Sequence, residues 1–184
     1  MGQSLSTKER LTQAGKKVIY RKGYHSTRIS DITSEAGLAH GTFYLYFKSK
    51  EEFLLEMLST IRKEVLSLIE RGISLLKGGK TEEGKELVFL RSFELIVKEK
   101  ELAKIFFFEA ICTSNSFQEF YKEGKRLFMG RLEEALRLLG IENPDLKAEI
   151  VIGTARHLVE EAILSKREVI DRWREVLREL GLFS

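Results

Sequence analysis

His40, Gly41, Thr42 and Tyr44 stand within five consecutive positions, and the chemistry they offer is recognition rather than bond-making. Imidazole, hydroxyl and phenol each donate or accept hydrogen bonds, and the glycine among them lets a backbone come close to whatever they touch. At about 100° per residue, Gly41 and Tyr44 turn away from Phe43 and Phe47, and His40 stands at the open start of the helix. A helix that buries two Phe on one side and presents such groups on the other is built to touch something. The elements that must position it follow from the preceding residues. Ile29, Ile32 and Ala36 recur at helical spacing, Gly37 sits where a left-handed residue ends a helix, and Leu38 re-enters the core. Two short helices joined by a tight turn read as a helix-turn-helix, whose second helix places its first residues at base edges in the major groove of DNA.

The spacing of Gly23-Tyr24, Thr27, Asp31-Ile32, Ala36-Gly37, Gly41-Thr42-Phe43-Tyr44, Tyr46-Phe47 and Lys50-Glu51 resembles that of the TetR/AcrR family of bacterial transcriptional regulators. The likeness runs from Ser6 to Met57. Ala39 stands where a capping Ser is usual in that family, His40 where Lys or another polar residue is frequent, and Leu45 where Tyr or another polar residue often sits. Ala39 cannot accept from a backbone N–H, at a cost of about 1 kcal/mol in capping. Arg28, Lys48 and Lys50 are the expected phosphate ligands, His40, Gly41, Thr42 and Tyr44 the expected groove contacts, and Ala39 counts with them as a DNA-binding position. Thr27 is placed to cap the second helix or to meet a phosphate. Tyr46 goes to the phosphates by resemblance alone; by angle it leans towards the core.

Composition supports a nucleic-acid partner. Residues 1–50 hold nine Lys or Arg against Glu9, Asp31 and Glu35, a balance of +6, so the net +3 of the chain leaves −3 for the rest. A basic head on a mildly acidic body is the footprint of a protein with one part for nucleic acid and another for something else. A single Pro and no alternating β-branched runs point to an all-α fold. The longest apolar runs are too short to span a membrane. The start, Met-Gly-Gln-Ser-Leu-Ser, lacks a charged leader and apolar block, and Gly2 with Ser6 only brushes a myristoylation pattern. The lone Cys112 excludes an internal disulfide and suits a reducing compartment, so a cytoplasmic protein is expected.

Further along, four capping boxes punctuate the chain: Ser6–Glu9, Ser49–Glu52, Ser116–Glu119 and Ser165–Glu168. The second launches a long helix that Gly72 and then Lys77-Gly-Gly-Lys80 end. Gly79-Lys80-Thr81 mimics the tail of a phosphate-binding loop, but Ser74 occupies the required Gly position and no strand precedes it. Asn143-Pro144 opens another helix with Pro at its first position. The domain division expected is a helix-turn-helix domain over residues 1–48 and a helical ligand-binding and dimerisation domain over 49–184.

The resemblance implies that the later helices enclose a ligand cavity and that the last two pair with those of a second subunit. The residues add their own support. The helix of residues 144–164 is apolar on more than one side, and Trp173 reads as an anchor on its neighbour. Nine of twelve Phe lie at position 89 or beyond, which fits either a packed aromatic core or a pocket for a hydrophobic small-molecule effector. The candidate lining is Phe89, Phe93, Phe107, Phe108, Cys112, Phe120, Tyr121 and Phe128, with Arg156 and His157 as polar groups. Phe107-Phe-Glu-Ala with Ser114-Asn-Ser resembles the members of the family that sense fatty acyl compounds. No Ser/His/acid set, metal-ligand cluster or cofactor motif is found, and Cys112 in an apolar run reads as an inert core thiol. The expectation is therefore a non-enzymatic, dimeric repressor that binds an operator in double-stranded DNA, with no metal and no cofactor. The alternatives are the same fold governed by a protein partner, or an enzyme using the C-terminal pocket.

Overall fold

Only helices appear among residues 5–183, the part of the chain that the computed structural model describes. The expectations about a leader and about Gly2 lie outside the described residues. The helices are α1 (Thr7–Lys22), α2 (Ile29–Glu35), α3 (His40–Leu45), α4 (Lys50–Lys77), α5 (residues 81–98), α6 (residues 100–110), α7 (Asn115–Leu138), α8 (Pro144–Leu164) and α9 (Ile170–Glu179). The fold is all-α, with a helix-turn-helix head at the N-terminus and a helical C-terminal part, as the sequence led us to expect. None of the described helices is long and apolar enough to cross a membrane.

The chain forms two compact units. Among the described residues, the first comprises residues 5–60 together with Ile105–Gln118; the second comprises Ile61–Lys104 and residues 119–183. Three helices (α4, α6 and α7) therefore change unit along their length.

In the first unit α1 opens on the expected capping box: Glu9 N–H donates to Ser6 Oγ at 3.3 Å and Ser6 N–H to Glu9 Oε2 at 2.8 Å. The hydrogen bonds hold the Glu9 carboxyl below its ordinary pKa. Leu11, Ala14, Val18 and Ile19 make the buried face of α1. Gly37 ends α2 at φ +64°, a conformation that only glycine adopts without cost, and the Arg10 guanidinium donates to the orphan carbonyl of Ala36 at 2.7 Å. Glu52 N–H donates to Ser49 Oγ at 3.1 Å, but the Glu52 carboxylate reaches past Ser49 to accept from Lys48 N–H at 2.7 Å.

The second unit has its own core, in which Val65, Ile69 and Ile73 of α4, Val88, Phe89 and Phe93 of α5, Leu132 and Leu136 of α7, and Val151, Leu158 and Val159 of α8 are buried. Several expectations need correcting here. Gly72 does not help to end α4, which runs on to Lys77. A methyl group there would stand 2.8 Å from the carbonyl of Gly84 and 2.6 Å from Val88 Cγ2, so the glycine lets α4 and α5 touch through their backbones. Trp173 is not available to a neighbouring subunit. It is 1% exposed, stacks on Phe93 at 4.6 Å, and its indole N–H donates to the carbonyl of Phe89 at 2.7 Å. The start of α7 is capped by Ser114, whose Oγ accepts from Phe117 N–H, rather than by Ser116. At α9 the Glu168 carboxylate accepts from Val169 and Ile170 N–H, and Ser165 instead closes α8.

The Gly72 contact yields a stability prediction. Gly72→Ala gains about 1 kcal/mol of helix propensity, but overpacking against a backbone carbonyl costs about 1–3 kcal/mol. The overlap wins, and the thermal midpoint followed by circular dichroism drops by a few degrees, about 2–4 °C per kcal/mol of net loss. A midpoint that rises would show that α4 and α5 can separate freely.

Candidate nucleic-acid interface

The recognition turn is shorter and tighter than the sequence suggested. His40–Leu45 winds as a 3₁₀ helix, and Ala39, in extended conformation before it, contributes no side-chain cap. A six-residue turn of this kind needs anchoring from outside. Phe43 and Phe47 supply it: both are buried and pack on Phe53 of α4, with ring centroids 5.3 Å apart (Phe43–Phe47), 5.6 Å (Phe43–Phe53) and 4.9 Å (Phe47–Phe53).

With those rings turned inward, the opposite side is left to solvent. Ala39, His40 and Gly41 are exposed, Thr42 is half-buried, and Tyr44 is 52% exposed with its ring edge-on to His40 at 5.7 Å. Tyr46, expected to lean inward, is 40% exposed, because the chain leaves helical winding at this residue. Leu45 is 79% exposed, more than any other large apolar side chain among the described residues. The sequence marked Leu45 only as a departure from the family pattern and gave it no contact, although its angle directly opposite Phe43 and Phe47 was the available signal.

The cations divide into three kinds. Arg28 and Lys48 are exposed. Lys22 pairs with Asp31 at 2.9 Å, and Arg21 and Lys17 with Glu35 at 3.5 and 3.9 Å. The Arg28 N–H and then Lys22 hold the Asp31 carboxyl below its ordinary pKa. Lys50 is turned inward. Its ammonium donates to the carbonyls of Tyr24 (2.7 Å), Thr27 (2.9 Å) and His25 (3.4 Å) and lies 4.4 Å from the centroid of the Tyr24 ring; burial draws its pKa down. Thr27 is 2% exposed and donates to the carbonyl of Gly23 at 2.7 Å, so it neither caps α2 nor reaches outward. Both residues stiffen the loop between α1 and α2.

That loop is also held by residues from far along the chain. The Glu109 carboxylate accepts from Tyr24 N–H at 2.6 Å, and the Glu109 carbonyl lies 3.0 Å from His25 Nε2. Ser114 Oγ donates to Glu51 at 3.1 Å, and Phe117, fully buried, sets its ring against the edge of Tyr24 at 5.8 Å. Burial, and then the Glu51 carboxylate, raise the pKa of the Tyr24 phenol. Nothing in the local pattern of residues 105–118 announced that they complete the head.

The residues expected to line a ligand pocket are distributed over both units. Phe107, Phe108 and Cys112 belong to the first, where Phe108 and Cys112 are exposed. Cys112 is thus a surface thiol, not the core residue the apolar run suggested. In the second unit Phe89 and Phe93 are buried in the core, while Phe120, Tyr121 and Phe128 are half-buried. Arg156 donates to Glu160 at 2.9 Å and to the Tyr121 hydroxyl at 2.9 Å, and the Glu160 carboxylate raises its pKa. His157 is exposed on α8. Among the described residues no three His, Cys, Asp or Glu side chains gather as a metal site.

Known proteins place this arrangement. Residues 11–57 match the family of bacterial regulatory proteins called the tetR family, and residues 82–181 match the tetracyclin repressor-like C-terminal domain. The chain is 29% identical over 150 residues to the fatty acid metabolism regulator protein of Bacillus subtilis, covering 81% of this chain and 75% of that one. Among solved structures it resembles a transcriptional regulator of Aquifex aeolicus VF5 (TM-score 0.79, 30% identity, 96% of this chain and 98% of that one). It also resembles the regulator FadR of Bacillus subtilis, solved in complex with stearoyl-CoA (TM-score 0.73, 25% identity, 94% and 96% of the two chains). With a helix-turn-helix presented on a basic head and both halves of the chain matched, the protein belongs to the TetR/AcrR family of transcriptional regulators.

Proposed function

We propose that this regulator is a homodimeric, cytoplasmic repressor that binds a near-palindromic operator in double-stranded DNA and is released by an apolar or amphipathic small molecule of the fatty acyl type. The observation that carries the reading is the outward face of α3, polar and exposed because Phe43 and Phe47 are locked inward. In this reading His40, Thr42 and Tyr44 contact base edges, Ala39 and Gly41 let the backbone approach, and Arg28, Lys48 and Tyr46 meet phosphates. Thr27 and Lys50 support the loop from inside, and the protein carries out no chemical step of its own.

Dimerisation is supported by α8. Leu146, Ile150 and Leu164 are exposed along one face together with Gly153 and His157, an apolar stripe with small and hydrogen-bonding residues between. A stripe of this kind on a helix otherwise packed on α5 and α6 suits a second copy of the chain. Two heads then read two half-sites.

The fatty acyl class rests on the relative named for fatty acid metabolism and on the neighbour solved with stearoyl-CoA. The half-buried aromatic rings of Phe120, Tyr121 and Phe128 in the second unit, with Arg156 and His157 as polar groups, suit an acyl chain and a polar head. Release would act through α6, which is continuous with the residues that hold the α1–α2 loop by Glu109. A ligand that favours one setting of α6 biases the head by its differential affinity for the two settings.

Binding assays test the operator reading. Arg28 and Lys48, the two cations assigned to phosphates on each of two heads, give a slope of about −3 to −4 in a plot of log affinity against log salt. His40→Ala weakens the preferred site by about 1–3 kcal/mol while leaving non-specific duplexes nearly unaffected; equal weakening on all DNA would remove His40 from base reading. Ile150→Glu yields a monomer by light scattering and lowers operator affinity, whereas a variant that stays dimeric would move the interface off α8. Glu109→Gln exchanges a charge-assisted hydrogen bond for a neutral one. It reduces the loss of operator affinity caused by stearoyl-CoA by about fivefold, within the usual 1–3 kcal/mol of coupling between sites. Unchanged release would take Glu109 out of the signal.

A further inference from the structure

Leu45 is the one residue of the recognition turn whose chemistry the reading above leaves unused. It is 79% exposed and lies between two tyrosines that are also exposed. Its direction is fixed by the core: at about 100° per residue it points almost opposite the midpoint of Phe43 and Phe47, and at the ~120° of a 3₁₀ turn it is still a third of a turn from Phe43. It therefore stands near the middle of the outward face, with Tyr44 before it and Tyr46 after it. Arg28 and Lys48, both exposed, add positive charge to the same helix-turn-helix.

An apolar tip amid hydrogen-bonding and cationic groups matches one feature of an anionic duplex. In the major groove the base edges present donors and acceptors, and the only apolar group among them is the C5-methyl of thymine. Six residues at a rise of about 2.0 Å span about 12 Å, close to the ~12 Å width of the groove, so the turn fits within it along its whole length, Leu45 included. A Leu this exposed gives up favourable burial in the unbound protein, and a partner surface recovers it.

We propose that Leu45 is a specificity-determining residue that selects thymine in each half-site by packing on its C5-methyl group. The proposal rests on the operator-binding reading given above. It adds the identity of a base and of the group on it that is read, which His40 and Thr42, able to hydrogen-bond several base edges, do not fix.

Uracil supplies the test, because it differs from thymine only by the missing methyl. The preferred duplex is first selected from a random pool with the full-length protein. Each thymine in it is then replaced singly by uracil, and affinities are measured for the natural chain and for Leu45→Ala. At one or two positions per half-site the natural chain loses about fourfold for each methyl removed, and about fifteenfold when both half-sites are changed, as a methyl-sized burial predicts. Leu45→Ala, whose melting midpoint stays near that of the natural chain because the side chain is exposed, shows no difference between thymine and uracil there. Two results overturn the proposal: a natural chain indifferent to every uracil, or a uracil penalty that survives in Leu45→Ala and so belongs to another side chain such as Thr42. If selection enriches no duplex at all, the operator-binding reading itself fails and takes this one with it.

Discussion

A six-residue 3₁₀ turn does not hold its shape through its own hydrogen bonds, since nucleating so short a helix is unfavourable and its geometry is poor. The contact that holds α3 is the packing of Phe43 and Phe47 on Phe53. Three rings at centroid separations between 4.9 and 5.6 Å couple the turn to the first residues of α4, and burying each one contributes about 1.5–3 kcal/mol. The inward direction of those rings sets the outward direction of Gly41, Tyr44 and Leu45, while His40, in line with Phe43 in a 3₁₀ turn, is exposed at the open start of the turn. The polar face is thus a consequence of the core beneath it. Lys8 extends the same arrangement, lying 5.4 Å from the centroid of the Phe47 ring and 2.6 Å from the Glu56 carboxylate, so α1, α3 and α4 meet around one aromatic cluster.

A second constraint concerns the loop between α1 and α2. Its carbonyls converge on the Lys50 ammonium, and its first free amide, that of Tyr24, donates to Glu109. An ammonium drawn partly out of water is stable only if it finds acceptors, and three carbonyls with an aromatic face provide them. The loop has little freedom while both ends of this arrangement are in place. One end is local, but the other comes from residues 105–118, some eighty positions along the chain, which makes the head a composite of two chain segments. Any change in that second segment reaches the loop directly, without needing to deform α3.

How much of this the residues disclosed depends on the range of the interaction. The helices, the left-handed Gly37, the Ser6–Glu9 box and the inward Phe residues follow from spacing and from contacts within a few positions, and these were legible. Thr27 and Lys50 were misplaced because their partners are carbonyls of a loop whose path the sequence does not give. A lysine next to a helix-turn-helix has the same composition whether it faces phosphate or backbone. Gly72 resembles a helix terminator in sequence, and only the nearness of Gly84 shows that it is a contact point between helices. Trp173 could be assigned to a buried position by its type but not to a subunit. The capping boxes at Ser116 and Ser165 failed because the helices start elsewhere: α7 begins at Asn115, capped by Ser114, and α9 begins at Ile170, where the Glu168 carboxylate takes the amides. Short-range rules cannot rank two candidates that lie two or three residues apart.

The two π-wound stretches, Glu86–Arg91 in α5 and Ile105–Ala110 in α6, show how helix winding and long-range contacts fit together. A π turn places an extra residue in the helix, so side chains beyond it are rotated by about 100° relative to an uninterrupted α-helix. In α5 the π stretch contains Phe89, whose carbonyl takes the Trp173 indole and ties α9 to the core. In α6 it contains Glu109, which takes the amide of Tyr24. The stretch in α6 also begins at Ile105, the residue at which the chain passes from the second compact unit to the first. The wide turn thus lies where Glu109 meets the loop it holds, so the winding of α6 and the path of the α1–α2 loop are set together.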